Sequence, residues 1–243
     1  MRLPIAAVLF DLDDTLHDDT LTYRRAAERV ARDVASAHGT DPAQLVAAYV
    51  AQADAFWQGL DPKTFGTPLV GLRARMWAAA LAAVGLADAA LAESCAREYN
   101  RHRRGLLELW PGALDLLARL RGRGCKLAMI TNGFAETHRE KIALLALEDA
   151  FDEVFIADEV GLLKPDPRIF RLAAERLGVL PQACAMVGDR FERDITGAAA
   201  VGMYTVWMNV RNEQVPAREM PPDAIVSDIR DVESALRLPQ YAG

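Results

Sequence analysis

Cysteine is scarce in this chain: Cys95, Cys125 and Cys184 are the three in 243 residues, at spacings that match no zinc or redox motif. Cys125 and Cys184 stand at the starts of strand-like runs, where a thiol serves as a small buried residue. Long apolar runs are missing too, since none approaches the roughly 20 residues that cross a bilayer. The short apolar segment in MRLPIAAVLFDLDD is closed by charge too early for a secretory leader. Basic charge is not in excess: 28 Lys and Arg against 34 Asp and Glu leave a net charge of −6. The isoelectric point near 5.3 disfavours a nucleic-acid polymer or a membrane surface as partner. There are no internal repeats and no low-complexity tracts. What remains is a globular chain, 51% hydrophobic and 26% charged, expected in a reducing cytoplasm. Nothing in the pattern specifies an oligomeric state.

Two styles of sequence follow one another. Residues 18–109 are rich in Ala and Arg with helical spacing and almost no strand-like run. Helices are predicted at 20–37, 43–57, 68–84 and 88–107, with the aspartates before Pro42 and Pro62 as turn or cap residues. Elsewhere short β-rich runs (AAVLF, CKLAMIT, EVFIA, CAMVGD, YTVWMN, AIVS) alternate with helical segments. Strands of this length without polar alternation suit a parallel sheet covered on both faces. The predicted fold is therefore α/β: a doubly wound, mainly parallel, Rossmann-like core of residues 1–17 and 110–243, with a helical cap of residues 18–109 inserted after the first strand.

In such sheets ligands bind at the carboxyl ends of strands, and four polar clusters fall there. Asp11 and Asp13 follow AAVLF, Thr131-Asn132-Gly133 follow KLAMI, Lys164 comes shortly after VFIA, and Asp189 and Asp194 follow CAMVG. Asp11 and Asp13, two apart, point to a similar side and with Asp189 make an all-oxygen site for a hard cation such as Mg²⁺. Thr131 and Asn132 offer a hydroxyl, an amide and backbone N–H groups to an anion, with Gly133 allowing close approach. Lys164 supplies a point charge to a carboxylate and a phosphate. Carboxylate nucleophile, cation, anion cradle and lysine together describe phosphoryl transfer through an aspartyl-phosphate.

DLDDTL at 11–16, ITNG at 130–133, KPDPRIF at 164–170 and GDRFERD at 188–194 resemble the ordered motifs of the haloacid dehalogenase-like (HAD) hydrolase superfamily, over nearly the whole chain. The resemblance is to the phosphatase branch with a helical cap, which includes nucleoside 5′-monophosphatases and N-acylneuraminate-9-phosphatases. It implies that Asp11 attacks phosphorus and that Asp13 protonates the leaving oxygen and then activates water. It implies that Thr131 and the Asn132 backbone hold phosphoryl oxygens while Lys164 stabilises the charge around Asp11. Mg²⁺ would be bound by the Asp11 carboxylate, the Asp13 backbone carbonyl and Asp189, with Asp194 as a supporting acid. Whether Glu192 or Asp194 faces the metal is open from spacing alone.

An acidic residue at position 13, where dehalogenase members resemble one another in having none, favours a phosphate ester, and Asp14 in place of the mutases' frequent Gly favours a phosphatase. The substrate expected is a small phosphorylated metabolite, either a nucleoside monophosphate or a sugar phosphate. A phosphomutase or phosphotransferase of the same fold, or a non-catalytic phosphate-sensing scaffold, is the alternative. Asp13 is expected to have a raised pKa, from neighbouring carboxylates and partial burial. Asp14 is expected to brace its loop, and Asp18 and Asp19 to mark the hinge and the first cap helix. Phe56, Trp57, Phe65, Arg73 and Trp77 are candidate substrate contacts, with His17 and Asp18 at the hinge. Helix packing is the other reading of Trp57 and Trp77. Arg101, His102, Arg103 and Arg104 read as a solvated helix end, with attraction of an anionic substrate as the other reading, and neither His102 nor His138 is assigned a catalytic role.

Overall fold

The structure, a computed structural model, describes residues 3–66, 69–217, 219–236 and 238. The chain divides into two compact units, one of residues 1–18 and 108–243 and one of residues 19–107.

The second unit is helical: α1 (Asp19–His38), α2 (Pro42–Gln58), α3 (Leu69–Ala83) and α4 (Ala89–Arg104). Position 68, where the third predicted helix begins, lies outside the described residues. Asp41 caps α2 by accepting from Ala43 N at 2.8 Å, with Pro42 as the first helical residue. Asp61 caps a short 3₁₀ turn at Pro62–Thr64 in the same way, and Asp88 caps α4. The buried face of α1 (Thr22, Ala26, Ala27, Val30, Ala31, Val34) repeats at helical spacing, and its alanines let neighbouring helices approach closely. They enclose an aromatic centre in which Tyr49 stacks on Trp77 at 4.1 Å and meets Tyr99 at 5.0 Å.

The first unit is an α/β layer structure. Strands β1 (Ala7–Phe10), β2 (Lys126–Thr131), β3 (Glu153–Ile156), β4 (Cys184–Gly188), β5 (Tyr204–Met208) and β6 (Ala224–Val226) form one sheet in the order β3-β2-β1-β4-β5-β6. All five pairings are parallel. Helices α5 (Ala113–Gly122), α6 (Ala135–Leu144), α7 (Ala157–Val160) and α8 (Pro167–Arg176) lie in the connections, with short later helical turns. Alternate residues Ala7, Leu9, Ala128, Ile130, Cys184 and Met186 pack with Ile169, Phe170 and Ala173 of α8. The intervening Val8, Phe10, Leu127, Met129, Ala185 and Val187 are equally buried. Both faces are covered, which is why these strands read as continuous apolar runs.

The strand order reverses between β1 and β4, and in open parallel sheets that point opens a crevice at the carboxyl edge. Leu16 accepts a hydrogen bond from Trp110 N at 2.9 Å, and His17 bridges to Leu109, so the two stretches leading out of this unit run side by side. No described helix is long and apolar enough to cross a membrane.

Candidate active site

Asp11 directly follows β1, and its N–H donates to Val187 O of β4 at 2.9 Å. That bond holds it at the reversal point. Asp189 directly follows β4, and Thr131 is the buried last residue of β2. Lys164 is 2% exposed, with Nζ 2.6 Å from both Asp11 Oδ1 and Asp194 Oδ1. Asp194 is carried back toward β4 by a wide helical turn over Phe191–Ile195, and its Oδ2 accepts from Arg190 N at 2.9 Å. A Cβ on Gly188 would overlap the Asp194 carboxylate. The glycine of the GD pair therefore makes room for the second aspartate of its own motif. Glu192 is exposed, whereas Asp194 is buried with Oδ1 against Lys164 Nζ.

Two carboxylates, Asp11 and Asp194, confront the ammonium of Lys164, and that of Asp189 lies close to both. Oxygens of Asp11, Asp189 and Asp194 lie within 4.8 Å of one another. Burial, opposed by Lys164 and reinforced by Asp194, pushes Asp11 up to about 7. Burial, with Asp11 and Asp194 adding repulsion, holds Asp189 well above the usual carboxylate range. Lys164 is raised overall, because Asp11 and Asp194 outweigh its desolvation. Asp189 Oδ2 lies 3.2 Å from Arg190 Nε, while Oδ1 is buried without a hydrogen-bond partner among the described residues. An orphaned carboxylate oxygen among like charges, with oxygen donors only, fits a hard divalent cation.

Asn132 and Gly133 each also make a contact that spacing alone does not show. One donor of the Asn132 side-chain amide is committed: Nδ2 donates to Lys164 O at 2.8 Å, and Lys164 N donates to Asn132 Oδ1 at 2.8 Å. The second Nδ2 proton and the backbone N–H remain for an anion. Gly133 leaves its space to the His138 imidazole, which a Cβ there would overlap.

Asp13 departs further from expectation. Its pKa is lowered, not raised: burial pushes it up, but Lys141 and then His138 and His17 hold it well below the usual range. The expectation counted the carboxylates adjacent in sequence. Folding instead brings Lys141 Nζ to 2.6 Å and His17 Nε2 to 2.9 Å from Oδ1, and His138 Nε2 to 3.3 Å from Oδ2. Spacing along the chain gives Lys141 and His138 no role and places His17 at the hinge only. His138 and Lys141 lie three apart on α6, hence on one helix face, and that spacing was the available signal.

Asp14 braces its loop as expected. It adopts the left-handed backbone conformation (φ 60°) and accepts from Arg211 at 2.8 Å. Arg211 comes from VRNEQVP, a stretch with no assigned role, which with Trp110, Phe191 and Asn209 lines a cavity of about 150 Å³ beside Asp189.

In the helical unit Trp77 is fully buried core, not a surface platform. Phe56 and Trp57 pack edge to face at 5.1 Å and both are half-buried, as is Phe65. Arg73 hydrogen-bonds Asn100 and lies over the Tyr99 ring, 5.7 Å from its centroid. Arg103 is not solvated as expected: it is 11% exposed and pairs with Asp19 at 2.6 Å. Arg101, exposed and paired with Glu98, fits the helix-end reading.

Residues 5–202 match the haloacid dehalogenase-like hydrolase model. The chain is 33% identical to human N-acylneuraminate-9-phosphatase over 238 residues, 96% of this chain and 94% of that protein. The chain belongs to the haloacid dehalogenase-like hydrolase family. It falls on that family's phosphatase side. A phosphoserine phosphatase of Thermus thermophilus is 42% identical over 142 residues, 58% of this chain and 55% of that protein. A magnesium-bound HAD hydrolase of Bacillus subtilis, YfnB, superposes with a TM-score of 0.74 over 97% of this chain and 100% of its own. At 23% identity that likeness speaks for the HAD fold alone.

Proposed function

We propose that this HAD-family chain is a Mg²⁺-dependent phosphoric monoester hydrolase acting on a small phosphorylated metabolite, a sugar phosphate or a nucleoside monophosphate. The observation that carries the reading is the buried Lys164 ammonium 2.6 Å from both Asp11 and Asp194, beside the orphaned oxygen of Asp189. Full-length relatives named for N-acylneuraminate 9-phosphate and for glyceraldehyde 3-phosphate support a sugar-type substrate.

Asp11 is the nucleophile, and Lys164 fixes the orientation of its Oδ1. The Thr131 hydroxyl and Asn132 backbone N–H bind phosphoryl oxygens, in a transition state whose spread charge rewards fixed donors. Asp11, Asp189 and the Asp13 carbonyl, with Asp194 behind them, would hold the cation, which when bound neutralises charge developing on the phosphoryl oxygens.

Asp13 rests ionised, the form that accepts a proton from water as the aspartyl-phosphate is hydrolysed. Protonating the leaving oxygen requires a proton on Asp13 beforehand. Phe134 O accepts from His138 Nδ1 at 3.1 Å, which turns Nε2 toward Asp13 Oδ2.

The test is phosphate release from a panel of sugar phosphates and nucleotides, with Mg²⁺ and with EDTA, for wild type and Asp11→Asn. Metal-dependent release that the variant loses supports the reading. Transfer to an organic acceptor in place of water would indicate a mutase or phosphotransferase. Silence on the whole panel from folded, metal-supplied protein would indicate a non-catalytic scaffold.

A further inference from the structure

We propose that Lys141 and His138 are positioning residues that orient the Asp13 carboxylate for proton transfer to the leaving group. This rests on the reading of the chain as a phosphatase with Asp13 as its acid and base.

Asp13 stands past the end of β1 with its side chain 28% exposed. At such a position its own backbone leaves several rotamers open. Neighbouring groups restrict them. Lys141 Nζ and His17 Nε2 reach Oδ1, and His138 Nε2 reaches Oδ2. Both carboxylate oxygens are thereby held, from two different parts of the chain.

Two features set Lys141 and His138 apart from ordinary packing. The Lys141 side chain is 3% exposed, and lysine is almost never buried this far unless paired. His138 is 2% exposed and lies over Gly133, in the loop that leaves β2 with Thr131. Any side chain at position 133 would displace the ring. The loop carrying the phosphate-binding candidates is thus built to admit a ring that touches Asp13. α6 joins that loop to Asp13 through two side chains on one face.

Positioning of an acid makes a specific demand on kinetics. An alkoxide leaving group needs its proton, whereas 2,4-dinitrophenolate departs without one. Loss of orientation at Asp13 should slow formation of the aspartyl-phosphate from alkyl phosphates and spare its formation from the dinitrophenyl ester; its hydrolysis is common to both and does not enter kcat/KM. A merely structural fault would slow both alike.

The experiment compares wild type, Lys141→Met, Lys141→Arg, His138→Gln and Asp13→Asn on 2,4-dinitrophenyl phosphate and on the alkyl phosphate that wild type turns over best. For Lys141→Met, kcat/KM on the alkyl ester should fall by about 100-fold and on the dinitrophenyl ester by less than about fivefold, because kcat/KM reads only the steps through departure of the leaving group. Lys141→Arg should recover part of the loss, and His138→Gln should show the same selectivity to a smaller degree. If Lys141→Met does not fold, the selectivity of Lys141→Arg and His138→Gln decides the matter. Equal losses on both esters, or none, with Asp13→Asn still selective, would overturn the positioning role and leave the phosphatase reading intact. A wild type silent on both esters would overturn both.

Discussion

Asn132 and Lys164 hold one another through two hydrogen bonds of 2.8 Å each, amide nitrogen to carbonyl and backbone N–H to amide oxygen. The bonds tie the loop after β2 to the loop that aims Lys164 at Asp11 and Asp194. Asn132→Leu removes both and leaves two backbone groups unsatisfied. It should destabilise the protein by about 1–3 kcal/mol and lower kcat by about 10–100-fold, as loss of a supporting contact does. Thermal unfolding and steady-state kinetics check both. Unchanged kcat would mean that Lys164 is positioned without the clamp.

Asp11→Asn should separate activity from stability. As nucleophile, Asp11 is irreplaceable by an amide, and kcat should fall by about 1,000-fold or more. The metal-free protein at mildly alkaline pH should nevertheless melt higher, because a neutral isostere escapes the burial and like-charge repulsion that raise the Asp11 pKa. Calorimetry of wild type and variant in EDTA reads the difference. A lower Tm in the variant would show that the Lys164 pairing outweighs the repulsion.

The same carboxylate gives a pH dependence with a definite sign. Its folded pKa of about 7 lies above the ordinary 3.8, chiefly through burial, so the folded state binds that proton more tightly than the unfolded chain. The associated stability is complete below 3.8 and lost as pH rises through about 7. A divalent cation competes with this proton. The Tm increase produced by Mg²⁺ should therefore be small near about pH 5 and grow toward about pH 8. An increase independent of pH would contradict a shared site on Asp11.

Gly188→Ala tests the second aspartate of the last motif. The added methyl overlaps the Asp194 carboxylate, which must move away from Lys164. The expected cost is about 1–3 kcal/mol, as for other overpacked sites, with weaker Mg²⁺ binding by calorimetric titration. Wild-type affinity in the variant would exclude Asp194 from the metal's surroundings.

The α/β unit was legible in the sequence because buried parallel strands leave a signal that no surface strand leaves: short apolar runs without alternation. The helical segment between residues 18 and 109 was legible for a related reason. Its alanine-rich spacing is local, and local spacing sets which face of a helix is buried. The boundaries drifted by a few residues, at ends where caps such as Asp88 and Asp41 act.

Sequence alone also pointed to the acids and the lysine, because Asp11 and Asp189 directly follow strands, Lys164 and Asp194 lie a short connection beyond strands, and a parallel sheet sends such positions to one edge. It did not carry what surrounds each of them. Asp13 sits two residues from Asp11 in the chain, yet its charge balance is set by Lys141, 128 residues away. Gly133 read as a site of close backbone approach and proved to be the space under an imidazole. Arg103 read as solvated and is paired with Asp19, 84 residues away. Coulomb interactions and steric exclusion depend on distance in space, and spacing along the chain reports that distance only within a single helix or strand. The inventory of charges belonged to the sequence, and their partners to the fold.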